Sequence, residues 1–223
     1  MHALTLTRQA LRVKRDTPRL PGAAGRSGTV GRADGPPTVR VIALGDSVLD
    51  GVGVEHHRDT VTGRLAAALA GDGRATWEVR ARSGATAGDV PAQTVGLGDP
   101  DVVLISLGVN DVKNLHRRER WRNELAAALD ATLAAAPRAR ILLLGLPPLT
   151  AFPALPAELG AALDRRARAF DADARALAGT RSRVTHVPCV IPDADGMFAA
   201  DGFHPSALAH AAFAEQCAAA ETR

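Results

Sequence analysis

Tyrosine is missing altogether, and aromatic residues make up only 3% of the 223-residue chain. That scarcity leaves no platform on which single-stranded nucleic acid could stack, so no nucleic-acid partner is expected despite a net charge of +3. Cysteine is nearly as rare. Cys189 and Cys217 are too few for a disulfide framework and lack zinc-type spacing, so they read as reduced thiols. No apolar run approaches the roughly 18 residues that a membrane span needs. Lysine is confined to Lys14 and Lys113 among 27 basic residues, and with the abundant alanine this points to a GC-rich bacterial genome. Arg8, Arg12, Lys14 and Arg15 interrupt the N-terminus before a signal-peptide core could form, which makes a cytoplasmic location the expectation.

What is present suffices for one substantial core. The chain is 46% hydrophobic and 23% charged, ordinary values for a globular domain. Residues 1–38 differ from the rest: they are basic, rich in glycine and proline (Pro18, Pro21, Gly22, Gly25, Gly28, Gly31, Gly35, Pro36, Pro37) and without sustained periodicity. They read as an N-terminal extension, a strap or tail over a domain spanning 39–223. Leu4, Leu11 and Val13 can share one face of a short helix with arginines on the other, so the extension is also the segment suited to peripheral contact with an anionic membrane.

From residue 38 onward, strands and helices alternate. Thr38–Leu44, Asp101–Leu107 and Arg140–Leu146 are short, nearly continuous apolar runs, the pattern of parallel strands buried on both faces. Trp77, Val79 and Ala81 alternate within a further strand, and Arg183–Val187 forms the fifth. Between and after them, Thr60–Ala70, Trp121–Ala136, Pro156–Ala178 and Pro205–Ala220 carry helical stripes, with Pro205 placed to open the last. The expected fold is α/β: a three-layer sandwich with a five-stranded parallel, flavodoxin-like sheet and helices on both faces.

In such sheets ligands bind beyond the carboxyl ends of the strands. Small, polar or titratable residues follow four of the five strands there: Gly45, Asp46 and Ser47; Ser83 and Gly84; Gly108, Asn110 and Asp111; and, beyond a loop, Asp201 and His204. Acyl transfer needs a nucleophile, a base, a group to orient the base, and donors for the developing oxyanion. Ser47 in its glycine-flanked turn suits the first role, His204 the second and Asp201 the third. The backbone N–H groups of Ser47 and Gly84 and the side-chain amide of Asn110 suit the last. Taken singly, each is a common turn or capping residue; four such signals in one order, each past its own strand, are specific.

These blocks read GDSVLDGVGV from Gly45, RSGATAGDV from Arg82, GVND from Gly108 and DGFHP from Asp201. Together they resemble the SGNH (GDSL-type) hydrolase family of serine esterases and lipases, over a span from about Val41 to Phe213. The resemblance implies the SGNH hydrolase fold and hydrolysis of carboxylic esters through an acyl-enzyme on Ser47, with no metal and no cofactor, and with Asp46 in a supporting role. Val48–Leu49 follows the serine where the family name has leucine next, and Arg82–Ser83 stands where many members differ.

The segment Gly145–Gly160 is unusually apolar for a loop. Leu146 and Phe152 from it, with Met197 and Phe198 ahead of the Asp–His turn, are expected to bind the acyl part of a small ester substrate. Short or medium acyl esters, lysophospholipids or thioesters suit such a wall better than polysaccharides. Two rival readings use the same sequence: an O-acyltransferase with the same triad, and a non-catalytic flavodoxin-like binding module. Glu55–His56–His57 and Asp193–Gly196 lack the further ligands that a metal site requires.

Overall fold

The structure is a computed structural model that describes residues 2–31 and 36–221; Gly35 of the N-terminal stretch lies outside the described residues. In chain order the elements are α1 (His2–Asp16), β1 (Ser27–Gly31), β2 (Val39–Gly45), α2 (Val61–Ala70), β3 (Arg74–Val79), α3 (Val90–Gln93), β4 (Val102–Ser106), α4 (Val109–Lys113), α5 (Arg118–Ala135), β5 (Arg140–Leu144), α6 (Ala157–Gly179), β6 (Val184–Val187) and α7 (Ala207–Glu221). The strands form one sheet ordered β1–β3–β2–β4–β5–β6.

Each central strand is buried on both faces, which is why it reads as an unbroken apolar run. Alternation then sorts the side chains into two layers. Val41, Ala43, Leu104 and Leu142 pack with Val61 and Leu65 of α2 and Phe213 of α7. Ile42, Val103, Ile105 and Leu143 pack with Val90 of α3, Trp121 and Leu125 of α5, and Phe170 of α6. The result is the expected three-layer α/β sandwich.

Five parallel strands are expected from the sequence; among the described residues the sheet has six. The added strand is β1, which runs antiparallel along the outer edge of β3 with Gly28 opposite Trp77 and Thr29 opposite Thr76. Its sequence, SGTVG, has almost no apolar content, so only the partner strand makes it a strand. In α1, Leu6 and Val13 turn partly inward, while Leu4 and Leu11 are 68% and 62% exposed. Among the described residues, no helix is long and apolar enough to cross a membrane.

Without β1 the order is that of a flavodoxin-like sheet, whose topological switch point lies between β2 and β4. Connections leave that point in opposite directions and open a crevice at the strands' carboxyl ends. The loops carrying Ser47 and Asn110 begin there.

Candidate active site

The turn after β2 is fixed before Ser47 is reached. Gly45 has φ +132°, and a Cβ there would strike the Ser106 carbonyl of β4, so only glycine lets the two strands approach this closely. The Gln93 side chain holds this residue from both sides, accepting from Gly45 N at 2.6 Å and donating to Gly45 O at 3.0 Å. Asp46 is fully buried and accepts from Val48 N at 3.1 Å and Ser106 Oγ at 3.4 Å. Burial, with Asp111 nearby, pushes its carboxyl up to about 7. Ser47 is held between these anchors, half-buried, and its hydroxyl makes no hydrogen bond among the described residues.

Asp201 and His204 form a closed turn. One Asp201 oxygen accepts from the backbone N–H of Phe203 and of His204, each at 2.9 Å, and the other accepts from His204 Nδ1 at 2.6 Å. Burial works against ionisation of Asp201, but these bonds outweigh it and hold the carboxyl below the usual range. The Nδ1 bond leaves Nε2 as the imidazole nitrogen able to accept a proton. Pro205 does not open the last helix. It pairs with Phe198 in an antiparallel bridge, and the Ser206 hydroxyl caps α7 by accepting from Leu208 N and Ala209 N at 3.2 and 3.4 Å.

The expected oxyanion donors are oriented by their loops. Gly84 has φ +83° and is open to solvent, and Gly108, at +111°, turns the chain into α4. Asn110 is buried, with its amide donating to Ala85 O at 2.9 Å, so the loops after β3 and β4 are tied together. That bond uses one amide hydrogen. The second, and the backbone N–H groups of Ser47 and Gly84, have no protein acceptor among the described residues.

Ser47 and His204 line one cavity, with an empty volume of about 570 Å³ including its mouth. No hydrogen bond joins the two side chains; contacts of this kind commonly tighten only when substrate binds. Phe152, Met197 and Phe198 are on the wall as expected. Leu146 is not: past the end of β5 it turns into the core layer that holds Ile141 and Leu143, against the bare face of Gly108, while its N–H donates to Asp171 at 2.9 Å.

The sequence reading missed Phe203, although it lies inside the DGFHP block. Its ring is 5.2 Å from Phe152 and 5.3 Å from His204, so it joins the apolar wall to the base. Cys189 also lines the cavity, and burial pushes its thiol up, which makes it a wall group and a poor nucleophile.

Elsewhere, His56 accepts from Arg58 N and His57 is buried beside Thr60, so Glu55, His56 and His57 do not converge on one point. Asp111, His116 and Glu124 bring three ligand-type atoms within 4.8 Å of one another; Arg120 binds Glu124 Oε1 at 2.7 Å and leaves Oε2 facing His116, and none of the three lines the cavity.

A family model described as the GDSL-like Lipase/Acylhydrolase family matches residues 43–212. Solved structures share the fold at low identity. The lipase Lip_vut3 from a goat rumen metagenome is 19% identical with a TM-score of 0.67, covering 82% of this chain and 97% of its own. Phospholipase A1 from Streptomyces albidoflavus NA297 is 16% identical with a TM-score of 0.63, covering 82% and 99%. A family 3 carbohydrate esterase from Talaromyces cellulolyticus is 21% identical with a TM-score of 0.61, covering 82% and 95%. No curated protein matches the chain.

Proposed function

The chain belongs to the GDSL-like lipase/acylhydrolase family and is a carboxylic ester hydrolase, and from that premise we propose that Ser47 is its nucleophile, His204 its general base and Asp201 the group that orients the base. Ser47 Oγ attacks the ester carbonyl carbon while His204 Nε2 takes the hydroxyl proton. The carbonyl oxygen becomes an oxyanion held by the N–H groups of Ser47 and Gly84 and the free amide hydrogen of Asn110. Collapse breaks the bond to the alcohol oxygen, which leaves with the proton from His204. Water then attacks the acyl-enzyme, again deprotonated by His204, and the second collapse releases the carboxylic acid and restores Ser47.

The observation that carries this reading is the 2.6 Å Asp201–His204 bond on a turn sharing a cavity wall with Ser47. Phe152, Phe198, Met197 and Phe203 give that cavity its apolar side, so the substrates proposed are short- or medium-chain acyl esters, lysophospholipids or thioesters.

A fluorophosphonate probe followed by peptide mass spectrometry tests the assignment. The label is expected on Ser47, and Ser47→Ala is expected to lose it and to lower ester turnover by about 10³-fold or more with unchanged thermal unfolding. Label on another residue, or retained turnover in the alanine variant, overturns the reading.

A further inference from the structure

The oxyanion donors proposed for Ser47 and Gly84 sit on two separate loops, one after β2 and one after β3. Ser47's loop continues to Asp50, three residues on, and Gly84's is approached through Ala81 and Ser83. Arg26, outside the family-matched span, reaches both. Arg26 donates through Nη1 to Asp50 Oδ1 at 2.5 Å and through Nη2 to the Ala81 carbonyl at 2.5 Å. The other Asp50 oxygen accepts from Ser83 N at 3.0 Å, the peptide immediately before Gly84.

Every part of this bridge is anchored in turn. Arg26 O accepts from Val79 N at 2.7 Å, which fixes the N-terminal segment to the end of β3. Asp50 N donates to Asp46 O at 2.9 Å, and Asp50 O accepts from Ala23 N at 3.0 Å. The Asp50 side chain is 14% exposed, so its two carboxylate oxygens are committed to Arg26 and Ser83. A planar guanidinium holds a carboxylate and a carbonyl at once in a fixed fork; an ammonium on a flexible stem can bond both but cannot reproduce that geometry.

We infer that Arg26 is a positioning residue for ester hydrolysis: through Asp50 it sets the separation of the Ser47 and Gly84 N–H donors. The inference rests on the reading of the site given above. Oxyanion stabilisation depends on donors fixed where the charge develops, and misplacement by a fraction of an ångström is felt in the transition state more than in the bound ester. Loosening the bridge therefore acts on kcat and leaves KM nearly alone.

The test compares wild type with Arg26→Gln, Arg26→Lys and Asp50→Asn on a p-nitrophenyl ester, below the unfolding temperature of each. An alkylboronic acid serves as a tetrahedral mimic of the intermediate. Arg26→Gln is expected to lower kcat about 10-fold and to raise the boronate inhibition constant by a similar factor, with KM within about 2-fold. Arg26→Lys, which keeps the charge but not the fork, is expected to restore kcat only in part. Asp50→Asn, which keeps an acceptor for Ser83 N, checks the bridge if Arg26→Gln folds poorly, and is expected to shift kcat and boronate binding in the same sense. Unchanged kcat in Arg26→Gln and Asp50→Asn, an effect on KM alone, or full rescue by lysine overturns the positioning role while fluorophosphonate labelling of Ser47 still stands. Failure of that labelling overturns both.

Discussion

At Asn110 a structural bond and the proposed oxyanion role fall on the same side chain. Its amide nitrogen donates to Ala85 O at 2.9 Å, which fixes the rotamer and ties the two loops together. The remaining amide hydrogen has no acceptor among the described residues, and on the reading proposed above it is the one that meets charge existing only in the transition state. Asn110→Ala is therefore expected to lower kcat by about 10²–10³-fold with little change in KM, measured on the same ester panel as wild type. An effect confined to KM would assign Asn110 to substrate binding instead. Glycine works by the opposite means at Gly45, where the lack of a side chain lets β2 lie against the Ser106 carbonyl and places Ser47 at the crevice.

At the scale of elements, β1 is the feature that a local pattern could not give. SGTVG becomes a strand because β3 offers an unpaired edge and Trp77 offers a surface. The indole lies across Gly28 and donates from Nε1 to Gly25 O at 3.1 Å. A Cβ at Gly28 would overlap the indole ring, so Gly28→Ala is expected to destabilise the protein by roughly 1–3 kcal/mol. Chemical denaturation reads this as a lower midpoint at constant slope; an unchanged midpoint would mean that β1 does not pack on Trp77. The interior strands were legible for the complementary reason: DVVLISL and RILLLGL are apolar without interruption because helices cover both sides, a property written into each strand's own residues. The four site blocks stood out by their order: each is an ordinary turn or cap by itself, and only the four together, each past its own strand, point to one candidate site. The cavity wall was legible only in part. Phe152, Met197 and Phe198 followed from composition, but Leu146 and Phe203 required knowing which way each side chain turns, and that depends on Gly108 and on the turn closed by Asp201.

For the molecule as a whole, buried histidines and a buried aspartate set opposing pH dependences. His57 and His210 lie in the α2–α7 layer, each fully buried. Burial, then the Arg26 and His57 charges respectively, lowers them to about 4 and about 3. His210 Nδ1 also accepts from Val61 N at 3.1 Å, an otherwise unbonded N–H at the start of α2, and protonation would abolish that bond. Both imidazoles are therefore neutral in the native state, whereas in the unfolded chain they take up protons near pH 6.5. Their stabilisation is complete above that value and is lost as pH falls from about 6.5 towards about 4 and about 3. Asp46 has the reverse sign. Its native carboxyl, raised to about 7, holds a proton that the unfolded chain releases near pH 4, so its stabilisation is present in acid and lost as pH rises to about 7. Between about pH 4 and 6.5 two histidines oppose one aspartate, so net stability from these groups rises with pH there and falls slightly above it. Thermal melts across pH 4.5–8 separate the contributions. The gap by which His210→Asn falls below wild type is expected to narrow as pH falls, because both keep the His57 penalty and wild type alone carries that of His210. Asp46→Asn keeps an acceptor for Val48 N and is expected to gain on wild type as pH rises from 5 to 8. Parallel, pH-independent gaps for both variants would mean that neither group titrates differently on folding, and opposite slopes are the signature of one pKa lowered and one raised by burial.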